Sequence, residues 1–281
     1  MGWQSSQKDW KHLVFMQQYF KYRNAWRFDG PPDEEEKLDA KSWREILRKG
    51  GLFVRNTYGF DGEESNFWYV IKDHFEEIEN LKPRTRTKIR AALKTFDYKL
   101  VDFETIKEKG YSIITETYTD YKVADRKMNK AIFTKYLDDC QNRSFDFWGV
   151  FDKSSKELVG FYAVRIWKDC CEYDQSALKT KYKHGSGYPY YGLYYVMNQY
   201  YIDNLHFKYV SDGSRTITEH SQIHDFLIQH FGFRKAYCQL EVHYQWWMKM
   251  AVNLLYPFRT IIKSPRVKAV LNMEAMRRGE K

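Results

Sequence analysis

Two apolar runs separated by a short polar turn constrain the fold of this chain strongly. Residues Phe145 to Asp152 and Leu158 to Trp167 are rich in aromatic and β-branched side chains, which favour extended strands. The turn between them begins Asp152-Lys153-Ser154-Ser155, which is typical of a hairpin connection. Cys170 to Leu178 follows as a third strand-like run. The sequence therefore predicts a sheet that contains consecutive antiparallel strands.

Helix and strand patterns continue on both sides of these strands. Amphipathic helices are predicted at residues 8–22, 43–49, 83–96, 104–121, 129–140, 190–204, 221–231 and in the tail from 244 to 276. Further strands are predicted at residues 52–58, 67–71, 99–103, 207–210 and 234–243. The expected fold class is mixed α+β, with a mostly antiparallel central sheet flanked by helices.

Aromatic residues make up 18% of the chain, with 9 Trp, 23 Tyr and 19 Phe. Six Pro and 15 Gly are too few for a collagen-like or low-complexity chain. A mean hydropathy of −0.72 and 30% charged residues exclude an integral membrane protein. The longest uncharged run, Gly185 to Ile202, contains seven Tyr and is not lipid-facing. These numbers predict a well-packed globular protein with amphipathic aromatic surfaces.

The formal net charge of +9 favours an anionic partner such as nucleic acid, a membrane surface or a phosphorylated cofactor. Basic residues concentrate in Lys82 to Lys99 and in Trp246 to Lys281, and a solvated face is the alternative interpretation of each segment. The four Cys include no CxxC pair, which indicates reduced thiols rather than a disulfide framework. The N-terminus has no signal-peptide pattern, so we expect a cytoplasmic protein.

Three motifs, in this order of elements, carry a resemblance to a known superfamily. They are the hairpin from Phe147 to Ala163, the loop His184-Gly185-Ser186-Gly187, and the helix Phe226 to Phe231 that ends in Gly232-Phe233-Arg234. They resemble the GNAT superfamily of N-acyltransferases and the FemAB-type aminoacyl transferases, which share that core. The run Leu81 to Arg90 also looks like a segment that precedes the core in such proteins, so the likeness covers roughly residues 81 to 244.

The glycine loop is the site that the resemblance assigns to an acyl donor, acyl-CoA or specifically acetyl-CoA. Backbone amides at a helix N-terminus bind pyrophosphate, and glycines let the backbone approach closely. The expected cofactor contacts are Lys183, His184, Gly185, Ser186, Gly187 and Tyr188. Tyr182 stands where the family pattern has Gln or Arg. The alternative interpretation is a plain glycine loop with a solvated lysine edge.

Candidate bases for deprotonating an acceptor amine are Asp212, Glu219 and His220, with His224 as a further candidate. Glu219 and His220 begin a helix directly after a strand, a common place for functional side chains. The alternatives are a favourable first-turn acid and a surface histidine. Ile228 stands where many family members have a Tyr acid. The two histidines have i,i+4 spacing, but no HExxH acid or paired Cys completes a zinc site, so no metal is expected.

The tail mixes apolar, aromatic and basic residues, as in Trp246 to Met250 and Leu254 to Arg259. It either packs on the domain as a final helix, which we favour, or lies on an anionic membrane. The Tyr-rich helix after the glycine loop is either a core face, which we also favour, or a ligand wall. The expected domains are an N-terminal extension (1–100), an acyltransferase core (101–245) and a basic aromatic tail (246–281).

By resemblance, the chain is expected to move an acyl group from acyl-CoA to the amine of a small molecule or an envelope amino-sugar. One alternative is a FemAB-like transferase that uses aminoacyl-tRNA, for which a basic protein is suited. Another is a non-catalytic module of the same fold that binds a membrane surface or nucleic acid. In each case the tail could also bring the protein into peripheral contact with the inner face of the membrane.

Overall fold

The computed structural model describes residues 18–22, 24–119, 128–183, 185, 187–217 and 222–280. The described strands are β1 (Tyr19–Tyr22), β2 (Ala25–Phe28), β3 (Phe53–Tyr58), β4 (Phe67–Lys72), β5 (Phe96–Val101), β6 (Phe145–Asp152), β7 (Leu158–Ile166), β8 (Cys170–Leu178), β9 (Tyr209–Ser214) and β10 (Arg234–Tyr244). The described α-helices are α1 (Ala40–Arg48), α2 (Pro83–Thr95), α3 (Phe103–Thr119), α4 (Lys130–Gln141), α5 (Thr180–Lys183), α6 (Pro189–Asn198), α7 (Gln222–Phe231), α8 (Trp246–Leu255) and α9 (Pro265–Arg277). A π-helical segment, Gln199–Asn204, continues α6, and a 3-10 turn, Tyr256–Phe258, follows α8.

Residue contacts divide the chain into two compact units that alternate along the sequence. Unit 1 comprises residues 1–69, 214–221 and 235–281, and unit 2 comprises residues 70–213 and 222–234. The predicted domains at residues 1–100, 101–245 and 246–281 are continuous segments of the chain. These two units do not test that division, and it stays a prediction.

Unit 1 contains the strands β1, β2, β3 and most of β10. β1 and β2 form an antiparallel hairpin, β2 runs parallel to β3, and β3 pairs antiparallel with β10. The prediction of a helix through Tyr22 is wrong over Tyr19–Tyr22, which form β1. Backbone pairing with β2 outweighs the helical pattern of apolar residues in this segment. The buried Tyr19 hydroxyl also donates to Asn56 Oδ1 on β3 at 2.5 Å. Residues 8–17 of that predicted helix lie outside the described residues.

The C-terminal helices of unit 1 only partly fulfil the expectation of packing. α9 buries Leu271, Met273 and Ala275, as a final packed helix should. α8 buries Val252 alone among its ten residues. Packing is therefore extensive for α9 and limited for α8, which is held through Val252 while most of its apolar residues stay on the surface.

Unit 2 contains a sheet in the order β9-β8-β7-β6-β5. β5, β6, β7 and β8 pair antiparallel in sequence, whereas β8 and β9 pair in parallel. Successive residues of β7 point to opposite faces: Phe161 belongs to a core with α3 and α4, and Tyr162 contacts Tyr194 of α6. Helices thus cover both faces of this sheet, and the expected α+β class with a mostly antiparallel sheet is confirmed.

All four cysteines are buried thiols. Burial raises the pKa of Cys140 to about 12 and that of Cys238 to about 12. Thiols of this kind are poor nucleophiles at neutral pH, so these two side chains serve packing. None of the helices in the described ranges is long and apolar enough to cross a bilayer.

Candidate active site

The parallel strands β8 and β9 pair over three residues, from Cys170 with Tyr209 to Glu172 with Ser211. β8 then continues to Leu178 along β7, and β9 continues through Asp212. Such a junction leaves backbone and side-chain groups of both strands facing the same region. Asp212 is the first residue of β9 after the parallel pairing ends.

Asp212 is a buried carboxylate with its side chain 6% exposed. The Tyr162 hydroxyl donates to Asp212 Oδ1 at 3.4 Å, and His224 Nε2 lies 3.6 Å from Oδ2. Burial, and secondarily the negative charge of Glu172, raise the pKa of Asp212 well above its ordinary value. A carboxylate with a raised pKa is a stronger base than an ordinary carboxylate, so this group is suited to accepting a proton.

Three buried tyrosines extend from this carboxylate. The rings of Tyr162, Tyr173 and Tyr194 lie with their centroids 5.6 to 5.8 Å apart. The hydroxyls of Tyr162 and Tyr194 are 3.2 Å apart, and Tyr173 donates to Asn198 Oδ1 at 2.7 Å. Burial raises the pKa of Tyr162 and of Tyr173, so both phenols stay protonated. Tyr194, Tyr162 and Asp212 therefore form a connected chain of hydroxyls that ends at a carboxylate.

A second carboxylate, Glu172, lies on β8 and pairs with Ser211, the last residue of the parallel pairing with β9. Its Oε1 lies 3.9 Å from the position that a Cβ on Gly213 would take. Gly213 has φ +82°, in the left-handed region that favours glycine, and its N–H donates to Ser211 Oγ at 3.0 Å. The glycine permits this backbone conformation within β9 directly after Asp212 and leaves the side facing Glu172 without a side chain.

The structure brings one of the three predicted catalytic residues into this cluster. Asp212 is there, together with His224, which the sequence also indicated. Glu219 and His220 lie outside the described residues. Sequence reasoning missed Tyr162, Tyr173 and Glu172. The only available indication was that a tyrosine inside an otherwise apolar strand needs a hydrogen-bond partner when buried.

The glycine loop has three of its flanking residues engaged by neighbouring elements. Lys183 Nζ donates to the Thr117 carbonyl at 2.9 Å, and the Tyr182 hydroxyl donates to Asp152 Oδ2 at 3.0 Å. A Cβ on Gly187 would lie 2.7 Å from Phe96 Cε2, so this glycine is needed for close packing. Lys183 and Gly187 thus have structural roles.

The other predicted loop contacts divide into two groups. Gly185 is exposed, and Tyr188 caps α6 with φ 51° and is also exposed. His184 and Ser186 lie outside the described residues. Pro189 is the first residue of α6 and supplies no N–H there, and the N–H of Tyr191 donates to the Tyr188 carbonyl at 2.9 Å. Two of the first three positions of α6 therefore offer no amide to a phosphate.

A basic surface lies on α2, near the start of α6. It consists of Lys82, Arg84, Arg86, Lys88 and Arg90, of which Lys82, Arg84 and Arg90 are exposed. Lys88 Nζ donates to the Tyr191 hydroxyl at 3.0 Å and lies 5.1 Å from the Tyr188 ring centroid. Burial and then the charges of Lys88, Lys82 and Arg84 lower the pKa of His230. This basic α2 surface is therefore predominantly positive, although Arg90 pairs with Glu79 at 3.2 Å.

Metal binding has no support within the described ranges, where no group of three or more His, Cys, Asp or Glu side chains is arranged to hold an ion. A cavity of about 470 Å³ lies elsewhere in unit 2, lined by residues including Phe103, Arg143 and Asp146. Tyr201 already donates to Asp146 Oδ2 at 2.9 Å, and no residue of the Asp212 cluster lines the cavity.

The chain is similar to known structures, although no family model and no curated protein matches it. The structure of FemX matches with a TM-score of 0.56 and 11% identity, over 84% of this chain and 85% of that one. The C-terminal domain of a putative lysylphosphatidylglycerol synthetase from Agrobacterium fabrum matches with a TM-score of 0.47 and 8% identity, over 84% of each chain. A tandem GNAT protein from the clavulanic acid biosynthesis pathway matches with 0.45 and 11%, over 79% of this chain and 75% of that one.

The fold of the chain is similar to that of FemX. This likeness confirms, at the level of fold, the resemblance that the sequence motifs predicted. At 11% identity the FemX likeness is one of fold. The chemistry of the chain therefore has to be argued from Asp212 and the groups around it.

Proposed function

We propose that this chain is a transferase that moves an activated acyl or aminoacyl group to an amine, with Asp212 as the base. The observation that carries this proposal is a buried carboxylate, of raised pKa, placed where the parallel pairing of β8 and β9 ends. The Tyr162 hydroxyl donates to one of its oxygens, and His224 Nε2 lies 3.6 Å from the other and 3.2 Å from the Asp212 main-chain carbonyl. The likeness to FemX supports a transferase of the GNAT or Fem kind.

The chemistry asks little of the protein beyond orientation and one proton acceptor. The amine nitrogen attacks the donor carbonyl, the new C–N bond forms, and Asp212 takes the proton that the nitrogen loses. The bond from the carbonyl carbon to the leaving oxygen or sulfur then breaks. The leaving atom takes up a proton, for which the hydroxyls of Tyr162 and Tyr194 provide a path from Asp212.

Aminoacyl-tRNA is the donor that we favour. Lys183 and Gly187, both expected at a CoA pyrophosphate, are engaged by Thr117 and Phe96. The basic α2 surface presents several cations on one helix, which suits the phosphates of a long polyanion. The FemAB-type resemblance implies the same donor.

Acyl-CoA is the second candidate donor. The exposed Gly185 and the exposed Lys181 favour it, since both lie close to the start of α6, where the GNAT resemblance places a pyrophosphate. A small-molecule amine or an envelope amino-sugar stays the predicted acceptor for either donor. A non-catalytic module that binds nucleic acid is the alternative to both.

A transfer assay distinguishes these candidates. Purified protein is incubated with radiolabelled aminoacyl-tRNA or radiolabelled acetyl-CoA and a panel of amines that includes amino-sugars. We expect transfer from aminoacyl-tRNA, and a loss of about 10²- to 10⁴-fold in Asp212→Asn. Asp203→Asn, which changes an exposed carboxylate of the same unit, should keep full activity.

Each outcome has a defined meaning. Transfer from acetyl-CoA alone would overturn the preferred donor, and full activity of Asp212→Asn would overturn the role of the base. Absence of transfer from both donors, with tRNA binding retained, would leave the non-catalytic module.

The basic α2 surface can be tested separately by measuring tRNA binding against salt concentration. In the double variant Arg84→Ala/Arg90→Ala, binding should weaken and the slope of log affinity against log salt should fall by about one for each phosphate that is no longer neutralised. Lys135→Ala, on the exposed side of α4, is the matched control. Equal effects of the variant and the control would show that α2 does not contact the nucleic acid.

A further inference from the structure

A row of large apolar side chains is exposed in the C-terminal part of unit 1. The apolar C-terminal face consists of Trp246, Trp247, Met250, Leu254, Phe258 and Ile261. Trp246 is 73% exposed, Leu254 72% and Ile261 71%. Single exposed apolar residues are ordinary on protein surfaces, but six large ones in one short segment favour an interaction site.

The spacing along α8 gathers these side chains on one side. Trp246, Met250 and Leu254 follow one another at intervals of four, so they lie above one another on one face, and Val252 fixes the helix from another side. α8 is about 15 Å long at 1.5 Å per residue, and Phe258 and Ile261 extend the row beyond its end. The face is therefore long and narrow, as expected for a helix that lies along a surface.

The helices behind this face are held firmly, so its exposure is not the fraying of a chain end. Arg278 donates to Asn253 Oδ1 at 3.1 Å, and its guanidinium lies 3.9 Å from the Tyr256 ring centroid. The buried carboxylate of Glu274 accepts from Arg277 at 2.6 Å and from Tyr244 at 3.1 Å. These contacts fasten α8 and α9 to the rest of unit 1.

The charge around the face is mostly positive, although one of its cations, Arg259, pairs with Glu280 at 2.8 Å. Between Glu241 and Glu274 the sequence contains five basic residues and no acidic one. Four of the five are exposed, namely Lys249, Lys263, Arg266 and Lys268. Lys249 lies within α8 beside the apolar row, and the other three follow its end. An occupant must therefore offer an apolar surface together with negative charge.

We propose that the apolar C-terminal face docks on an anionic lipid surface. Aromatic and aliphatic side chains would enter the boundary between headgroups and acyl chains to a depth of about 5–10 Å, while the lysines and arginines reach the headgroup phosphates. A second copy of this chain fits less well. A symmetric pairing through this face would bring together two sets of the exposed cations Lys249, Lys263, Arg266 and Lys268, while Glu280 is already paired with Arg259. The proposal concerns unit 1 and does not depend on the reaction at Asp212.

Vesicle flotation with the full chain tests the proposal. We expect the protein to float with vesicles of phosphatidylcholine and phosphatidylglycerol and to remain unbound with phosphatidylcholine alone. The triple variant Trp246→Ser/Leu254→Ser/Ile261→Ser should lose more than about tenfold in affinity. Lys249→Gln/Lys263→Gln should lose about fivefold for each charge removed. Ile132→Ser, which changes an exposed isoleucine on α4, is the matched control.

A fluorescent label reports whether this face is the part that meets the lipid. All four native cysteines are buried, so a Leu254→Cys variant can be labelled selectively with an environment-sensitive dye. Anionic vesicles should shift its emission to the blue, and a label at Leu205→Cys should not respond. Absence of flotation with anionic vesicles would overturn the proposal. So would a dimer that the triple variant dissociates, or vesicle binding that the triple variant retains. Transfer activity towards a soluble acceptor should be the same in all these variants.

Discussion

Helices α6 and α8 have the same length and are both rich in apolar and aromatic residues, but they are buried very differently. α6 (Pro189–Asn198) buries eight of its ten residues, including three tyrosines. α8 (Trp246–Leu255) buries one of ten and exposes both of its tryptophans. One helix is part of an interior and the other is a surface, although each would pass as a core helix by composition.

The difference lies in the partners that surround each helix within its own unit. The phenol of Tyr191 accepts from Lys88, and that of Tyr194 lies 3.2 Å from the Tyr162 hydroxyl, so burial of α6 leaves these polar atoms satisfied. α8 carries Lys249 and is followed by a basic run without an acid before Glu274. Apolar composition predicts that a helix has a partner, and the charges around it indicate whether that partner is protein or another surface.

The largest expected effect comes from replacing a leucine in each helix. Leu193 in α6 is 1% exposed and Leu254 in α8 is 72% exposed. Leu193→Ala should lower the free energy of unfolding by about 2–5 kcal/mol, because it removes buried methyl groups and leaves a cavity. Leu254→Ala should change it by less than about 0.5 kcal/mol. Urea unfolding followed by circular dichroism measures both.

Similar losses of unfolding free energy in Leu193→Ala and Leu254→Ala would contradict the difference in burial between α6 and α8. An effect of more than about 2 kcal/mol in Leu254→Ala would mean that α8 is covered in solution. In that case the exposed face would belong to a contact within the protein, and lipid docking would have to be abandoned.

Much of the fold could be predicted because its elements are locally encoded. β6, β7 and β8 match the predicted runs within one or two residues, since aromatic and β-branched side chains and the Asp152 turn act within a few positions. β1 could not be predicted, because Tyr19–Tyr22 are a strand only through pairing with Ala25–Phe28. Long-range pairing overrides a local helical pattern in such short segments.

The candidate site could be predicted in part for the same reason. Asp212 stands out in sequence because it follows a short strand. Tyr162 and Glu172 become functional candidates only when the register of β7, β8 and β9 places them beside that carboxylate. The engagement of Lys183 by Thr117 is likewise a tertiary contact, separated by 66 residues, that no local motif reports.

Gly192 allows the Tyr98 side chain to pack closely against α6. A Cβ on Gly192 would overlap the Tyr98 hydroxyl oxygen, closer than the two atoms can approach. Gly192→Ala should therefore destabilise unit 2 by about 1–3 kcal/mol, despite the better helix propensity of alanine. Gly185→Ala is the control, since its Cβ would find its nearest atom at 3.5 Å. Thermal unfolding of the two variants should separate them, and equal midpoints would refute the close approach of Tyr98 to α6.

The buried carboxylate of Asp212 predicts a dependence of stability on pH. The pKa of Asp212 is raised by burial and by Glu172, so the folded state holds a proton that the unfolded state releases. Stability is therefore lost as pH rises from the ordinary carboxyl pKa of about 4 through the raised value. Asp212→Asn cannot ionise and should gain stability relative to the native protein as pH rises. Unfolding measured from pH 4 to pH 8 tests this, and a constant difference would show that Asp212 titrates normally. His224 and Tyr162 also face this carboxylate and are unchanged in the variant.

The smallest expected effect separates two lysines that accompany the two helices. Lys88 donates to the Tyr191 hydroxyl of α6 and lies 4.5 Å from its ring centroid, whereas Lys249 is an exposed residue of α8. Lys88→Met should cost about 0.5–1.5 kcal/mol, because it removes a hydrogen bond and a cation–π contact while keeping most of the side-chain volume. Lys249→Met should leave the unfolding free energy within about 0.5 kcal/mol and weaken vesicle binding. The opposite result, a stable Lys88→Met and a destabilised Lys249→Met, would reverse the assignment of α6 to an interior and of α8 to a binding surface.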